Sequence, residues 1–370
     1  MKDLVSFELK KILKRKSILV LLIVAIIATI FNFVIFHFGY TSMYIFLPKQ
    51  NIAGPINGFS AIKYSKEINK KFTGELTDES VSKMKITIEN EKNRLNMLSE
   101  DQRYLVLNAY RNQKAIINKL ENDGTIGMVK NKFDFATKPL LVGYSTGWEK
   151  FINSFSSIGT LSLCFIIIVI FGNVFNQDYE TKVDSIIYSS KFGKSKLVSA
   201  KLISSSILIS FIYTGLYIFN LILYCGIFGF DGALCNIQSS LFFIESSFNL
   251  NFLQLSIIMF AIGLVSSLCL TIITLAVSAT SKNSVQISII SFILIFFPVF
   301  FDFSGTLDKL QKTMEIMPIY GLHVSKLFIK KQVYFGHTIQ PLLTILILII
   351  FMVTSIYIIK FKSKKYLVLH

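Results

Sequence analysis

Long apolar runs alternate along the chain with segments that are short and basic or long and mixed in character. The runs lie near Ile18 to Phe38, Phe155 to Phe175, Leu202 to Phe228, Phe252 to Ser278, Val285 to Phe301 and Pro341 to Ile359. About 20 apolar residues cross the ~30 Å of bilayer hydrocarbon as a helix. The pattern therefore predicts an all-α polytopic membrane protein with six transmembrane helices. The first run is long, ends in aromatic residues and has no small-residue cleavage motif after it, so it reads as a retained span rather than a leader. The divisions that follow are 1–17, an amphipathic N-terminal helix; 18–38, the first span; 39–151, a separate lobe; 152–175, the second span; and 176–201, a polar connection. The third to fifth spans occupy 202–301, short helices 302–340, the sixth span 341–359 and a tail 360–370.

Inside the lobe the period changes. From Val81, the residues Met84, Ile88, Leu95, Leu98, Leu105, Ala109, Ile116 and Leu120 fall near heptad spacing, interrupted by Glu91, Gln102 and Asn112. That spacing predicts an amphipathic helix with an imperfect seam. Ser99 followed by Gln102 has the form of a capping box, so the stretch reads as two helices folded into a hairpin, with a stop at Asn122, Asp123 and Gly124. The Pro- and Gly-punctuated flanks LPKQNIAGPINGF and LLVGYSTGW allow short strands near the membrane. Trp148 is placed as an interfacial anchor at the start of the second span.

Basic flanks give the orientation. FELKKILKRKS before the first run, KFKSKK after the last and the short turn around Lys282 place both termini in the cytoplasm of a multi-pass cell-membrane protein. The lobe is then extracellular, as is 302–340, although the latter carries a basic balance that runs against the rule. With 52% hydrophobic residues, 38 Lys and Arg against 22 Asp and Glu, and a formal charge of +16, the charge reads as flanks meeting anionic lipid and not as a nucleic-acid surface.

Chemistry of the covalent kind has no visible seat. His37, His323, His337 and His370 are dispersed and form no ligand pattern with the four cysteines, and no phosphate-binding loop is present. Cys225 and Cys235 come close enough in sequence to bridge at the outer face; Cys164 and Cys269 read as packed small hydrophobes. Charges inside the runs are nearly absent, which disfavours ion-coupled transport. Hydroxyls are plentiful: Ser204 to Ser206, Ser210 and Thr214 in the third run, and Ser266, Ser267, Thr271, Thr274 and Ser278 in the fourth. Such residues either let helices approach closely or line a translocation path.

Four stretches carry a family resemblance: DLVSFELKKILKRKS before the first span, NQDYETKVDSIIYSSKFGKSKLVSAK between the second and third, SFILIFFPVFFDF with MEIMPIYGLHVSKLF around the fifth, and the enlarged lobe. Together they resemble the permease subunit of type-2 ABC exporters, in the variant with a large extracellular domain grouped with antimicrobial-peptide exporters. The family's usual Gly-Thr after the acidic position is replaced here by YETKVDS.

The resemblance implies an amphipathic elbow helix at 1–17 and a non-catalytic chain without a cofactor of its own, ATP and Mg being held by separate cytoplasmic ABC ATPase subunits. It also implies pairing with a second permease, identical or related, within membrane lipid. Glu180, Asp184, Ile186, Ile187, Tyr188, Lys191 and Lys194 then become the ATPase-coupling residues, with Ile186, Ile187 and Tyr188 as the apolar centre. The implied cargo is a peptide, antibiotic or lipid-like amphipathic compound. Two other classes compete: a membrane sensor or immunity protein that binds an external peptide, using the same lobe, and a lipid-modifying enzyme, for which no convergent carboxylates or histidines are found.

Overall fold

The computed structural model describes residues 1–39, 41–47, 52–121, 139–180, 193–281, 283–300, 314–329 and 342–365. Within these residues the chain is mostly helical. Five helical stretches are long and apolar enough to span a bilayer: Lys16–Gly39, Thr146–Asp178, Ser195–Phe228, Phe252–Thr280 and Leu342–Lys364. Helix is the expected solution for apolar chain in lipid, because every backbone donor and acceptor is satisfied within the segment. The run expected as the fifth of six spans forms a 17-residue helix, Ser284–Phe300, that includes Pro298. At ~1.5 Å per residue it is about 26 Å long, somewhat short of the hydrocarbon thickness.

Labels follow chain order. Helix α1 is Lys2–Leu13 and α2 is Lys16–Asn32, the latter continued by a π-helical turn over Phe33–Gly39. The lobe contains β1 (Ser42–Leu47), β2 (Ile52–Asn57), α3 (Gly58–Lys70), β3 (Gly74–Glu75), α4 (Asp78–Arg94), α5 (Glu100–Leu107), α6 (Arg111–Leu120) and β4 (Leu141–Val142). The second span is α7 (Thr146–Ser154), a π turn, α8 (Thr160–Phe171) and α9 (Asn173–Glu180). Then come α10 (Val198–Phe228), α11 (Phe252–Thr280), α12 (Ser284–Phe300), α13 (Val324–Ile329) and α14 (Leu342–Lys365).

The second and fourth spans are the centre of the bundle. In their most apolar windows 67% and 56% of residues are buried, against 28% and 22% for the first and last spans, which present most of their surface outward. Packing between α10 and α11 is tight because of small residues: a Cβ on Gly263 would come within 2.2 Å of the Tyr213 hydroxyl. Tyr213 and Tyr217 donate to the carbonyls of Met259 (3.2 Å) and Ser256 (2.6 Å); the two rings stack on each other and meet Phe151 and Phe155 edge to face, with Phe260 also in contact.

The lobe has its own core, with Ile68, Phe72, Met84, Leu95, Tyr110, Ile116 and Leu120 among its members. Strands β1 and β2 form an antiparallel hairpin in register Ser42 to Asn57, and β3 pairs antiparallel with β4. Thr77 and Ser80 make a reciprocal capping box that starts α4; Ser99 Oγ accepts from Gln102 N at 3.4 Å at the start of α5. The heptad seam is interrupted where α5 gives way to a 3-10 turn at Asn108–Tyr110, and this turns Val106 and Leu107 inward and leaves Leu105 37% exposed. The expected stop at Asn122, Asp123 and Gly124 lies outside the described residues, as does Lys282.

The lobe is bound to the loop between the third and fourth spans. Lys119 pairs with Glu245 at 2.5 Å, Leu141 N donates to Asn236 Oδ1 at 2.8 Å, and Ile244 enters the lobe core. Trp148, at the start of the second span, is 4% exposed, and its indole N–H donates to Phe230 O at 3.1 Å, so it packs the second span against the end of the third. Cys225 and Cys235 are both buried free thiols, so no bridge joins them.

Candidate functional site

At the end of the bundle that carries α1, called basal here, three elements converge on one carboxylate. The second span is interrupted at Gly172, where α8 ends and α9 begins, and α9 brings Asp178 to a position only 3% exposed. Lys11 of α1 reaches Asp178 Oδ1 at 2.9 Å, and Lys201 of α10 is ion-paired with Oδ2. Lys201 is itself 1% exposed; its ammonium also donates to Val174 O at 2.9 Å and lies 5.0 Å from the Phe175 ring centre.

The interruption leaves backbone groups that need partners. Arg15, in the link between α1 and α2, donates to the carbonyls of Ile170 (3.1 Å) and Asn173 (3.3 Å) and to Gln177 Oε1 (2.5 Å). A cation over the last carbonyls of a helix is also favoured by the helix dipole. On the other side, Ser278 Oγ accepts from the N–H groups of Phe175 (3.1 Å) and Asn176 (3.4 Å), while Ser284 Oγ donates to Asn173 Oδ1 at 2.8 Å. Glu8 is buried beside this cluster. Burial pushes its carboxyl above the ordinary range, and the nearby Lys201 and Lys11 oppose that rise; burial likewise lowers the Arg15 guanidinium. Two acids and three bases thus join α1, the second span and the third span. A buried pair of this kind costs desolvation and becomes costly to break once formed, because the survivor is left uncompensated.

Of the residues singled out in sequence, Glu180 closes α9, is exposed, and accepts from Asn176 Nδ2 at 2.6 Å. Lys194 falls within the π-helical turn Gly193–Leu197. Asp184, Ile186, Ile187, Tyr188 and Lys191 lie outside the described residues, between α9 and that turn. The fourth-span hydroxyls are fully buried. Ser266 donates to Pro318 O (2.5 Å), Ser267 to Leu264 O (2.8 Å), Thr271 to Ser267 O (2.8 Å) and Thr274 to Leu270 O (2.9 Å), with Ser278 occupied as above. In this conformation they pack α11, and a path along them requires α11 to separate from its neighbours. No group of three or more His, Cys, Asp or Glu placed to hold a metal occurs among the described residues.

The family model described as ABC-2 family transporter protein matches residues 4–363, nearly the whole chain. The chain belongs to the ABC-2 transporter family. No curated protein and no solved structure matches it. A chain of this family is an integral membrane permease of an ABC transporter, and membership implies association with ABC ATPase subunits. In this ABC-2 permease, sequence reasoning passed over Glu8, Arg15, Asp178 and Lys201. The available signals were a lone acid in the basic FELKKILKRKS and a lysine one residue ahead of the predicted third run. The helix as folded begins before the predicted run, at Ser195, so Lys201 lies within its basal turns, ahead of the apolar stretch.

Proposed function

We propose that this ABC-2 permease is the membrane subunit of an ATP-driven exporter of an amphipathic peptide, antibiotic or lipid-like compound. Its α1 serves as the elbow helix, and ATP and Mg are held by separate cytoplasmic ATPase subunits. Six spans cross the membrane, with α12 as the fifth, both termini are cytoplasmic, and a second permease, identical or related, completes the pathway. The observation that supports this reading is the basal charge cluster. It ties α1 to α9 and α10, which are the two helices that flank 181–192. An ATPase pressing on 181–192 then moves the second and third spans and α1 as a unit, where a loose polar loop would absorb the displacement.

The contact itself is assigned to Ile186, Ile187 and Tyr188, whose burial contributes roughly 25 cal/mol per Å² of apolar area. Asp184, Lys191 and Lys194 orient it. Replacing Ile186, Ile187 and Tyr188 together with serine removes ATPase copurification and permease-stimulated ATP turnover while membrane insertion is kept. Parental binding and turnover in that variant would overturn the coupling role.

A further inference from the structure

A second polar site lies at the opposite end of the bundle, where the lobe meets the spans. A cavity of about 220 Å³ is walled by β1, α3, the α5–α6 corner, the start of the second span and the end of the third. Lys150 and Arg111 line it, along with Tyr144 and the apolar Met43, Leu105 and Phe228. The exposed Leu105, which departs from the lobe's heptad seam, is one of its walls.

The charge balance of this cavity is uneven. Lys150 Nζ donates to His37 O (2.8 Å) and Thr41 Oγ1 (2.9 Å) and lies 4.1 Å from the Phe228 ring centre, leaving a third proton. No carboxylate among the described residues comes within 4.0 Å of that ammonium. Arg111 Nη2 stands 3.7 Å from Glu149 Oε1, too far for a good hydrogen bond, and is half exposed. Asp231, the other carboxylate near Tyr144, is held by Lys66 at 2.5 Å. The Tyr144 hydroxyl is buried beside Thr146 yet makes no bond of hydrogen-bond geometry, and burial pushes its phenol up to about 12, so it stays protonated and available as a donor. A buried donor without an acceptor is unfavourable, and a ligand oxygen would satisfy it.

We propose that this cavity is a binding site for a singly or doubly charged anionic group, a phosphate or carboxylate, carried on an apolar stem. Arg111, Lys150 and Tyr144 supply the donors, and Met43, Leu105 and Phe228 receive the first carbons of the stem. The volume decides the size of what enters: drug-sized ligands need ~300–1,000 Å³, so a headgroup fits and a whole peptide does not. This site stands apart from the basal coupling cluster, and its occupancy does not depend on an ATPase.

The test uses the full chain in phosphatidylcholine nanodiscs without any ATPase, and equilibrium binding of radiolabelled dodecyl phosphate. Saturable binding is expected, weakened about tenfold or more by Arg111→Gln and by Tyr144→Phe, each of which removes a donor to a charged oxygen. Leu105→Trp, which fills the cavity and leaves every charge in place, is expected to abolish it. Inorganic phosphate as competitor separates the sources: displacement identifies the anion alone as the recognised group, and failure to displace identifies the headgroup of an amphiphile. Binding that is unchanged in all three folded variants, or displaced equally well by dodecyltrimethylammonium, would overturn the proposal. Loss of ATPase coupling in the triple serine variant bears on the basal site alone, so the two readings fail separately.

Discussion

Asp178 and Lys201 show how a single charged pair governs the basal end. With Asp178 replaced by asparagine, Lys201 loses its anion while remaining 1% exposed, and removal of one partner from a buried pair costs about 3–5 kcal/mol. Asp178→Asn is therefore expected to lower the melting temperature of the chain in nanodiscs sharply, and Asp178→Asn with Lys201→Met to recover much of the loss. Equal melting of the single variant and the parent would remove the cluster's structural role. Glu8 gives the pH dependence. Its carboxyl is raised in the folded chain, so the folded state binds more protons than the unfolded one between the ordinary carboxylate value and the raised value. Stability is thus lost as pH rises through that window, and Glu8→Gln flattens the slope. Melting temperatures taken from about pH 4 to about pH 8 read this directly, and an unchanged slope would contradict it.

At the scale of elements, close approach between the second and third spans depends on Gly147. A Cβ there would sit 2.2 Å from Gly229 O, a backbone atom, so the clash is relieved only by moving the chain at the end of the third span. Gly147→Ala is expected to cost about 1–3 kcal/mol, as overpacking does, and to loosen Trp148 from Phe230. A fluorescence shift of Trp148, the only tryptophan, reports that loosening, and an unshifted spectrum with parental stability would count against it. The spans themselves were legible in sequence because uninterrupted apolar runs have few other solutions in a chain of this composition. Phe252 to Ser278 became Phe252–Thr280, and Leu202 to Phe228 became Ser195–Phe228, the latter gaining two turns in which Ser195, Lys196, Ser199 and Lys201 dilute the hydropathy. The basal cluster was not legible, because Glu8, Asp178 and Lys201 are far apart in sequence and each reads alone as an ordinary solvated flank. The partner of Trp148 was hidden for a related reason: the sequence marks an amphipathic ring at the start of the second span and does not say that Phe230 O accepts from its N–H.

For the whole molecule, two ends of the bundle carry two different chemistries, an ionic clamp around α1 and a cavity lined by Arg111 and Lys150 under the lobe. Which end faces outward decides how the two can work together. Ser82 on the lobe and Lys362 near the end of α14 are both exposed, so single cysteines placed there, in a background without the four native cysteines, report the orientation. Labelling of Ser82→Cys from outside and Lys362→Cys from inside is expected; labelling of both from one side would refute six spans. The most direct test of the account as a whole is a photo-crosslinker placed at Ile187 in the chain coexpressed with its ABC ATPase. The account predicts a crosslinked product containing the ATPase, strengthened or weakened by nucleotide. A crosslinker that reaches only lipid or the permease itself would contradict the claim that the connection between the second and third spans is where ATP hydrolysis is passed to the membrane.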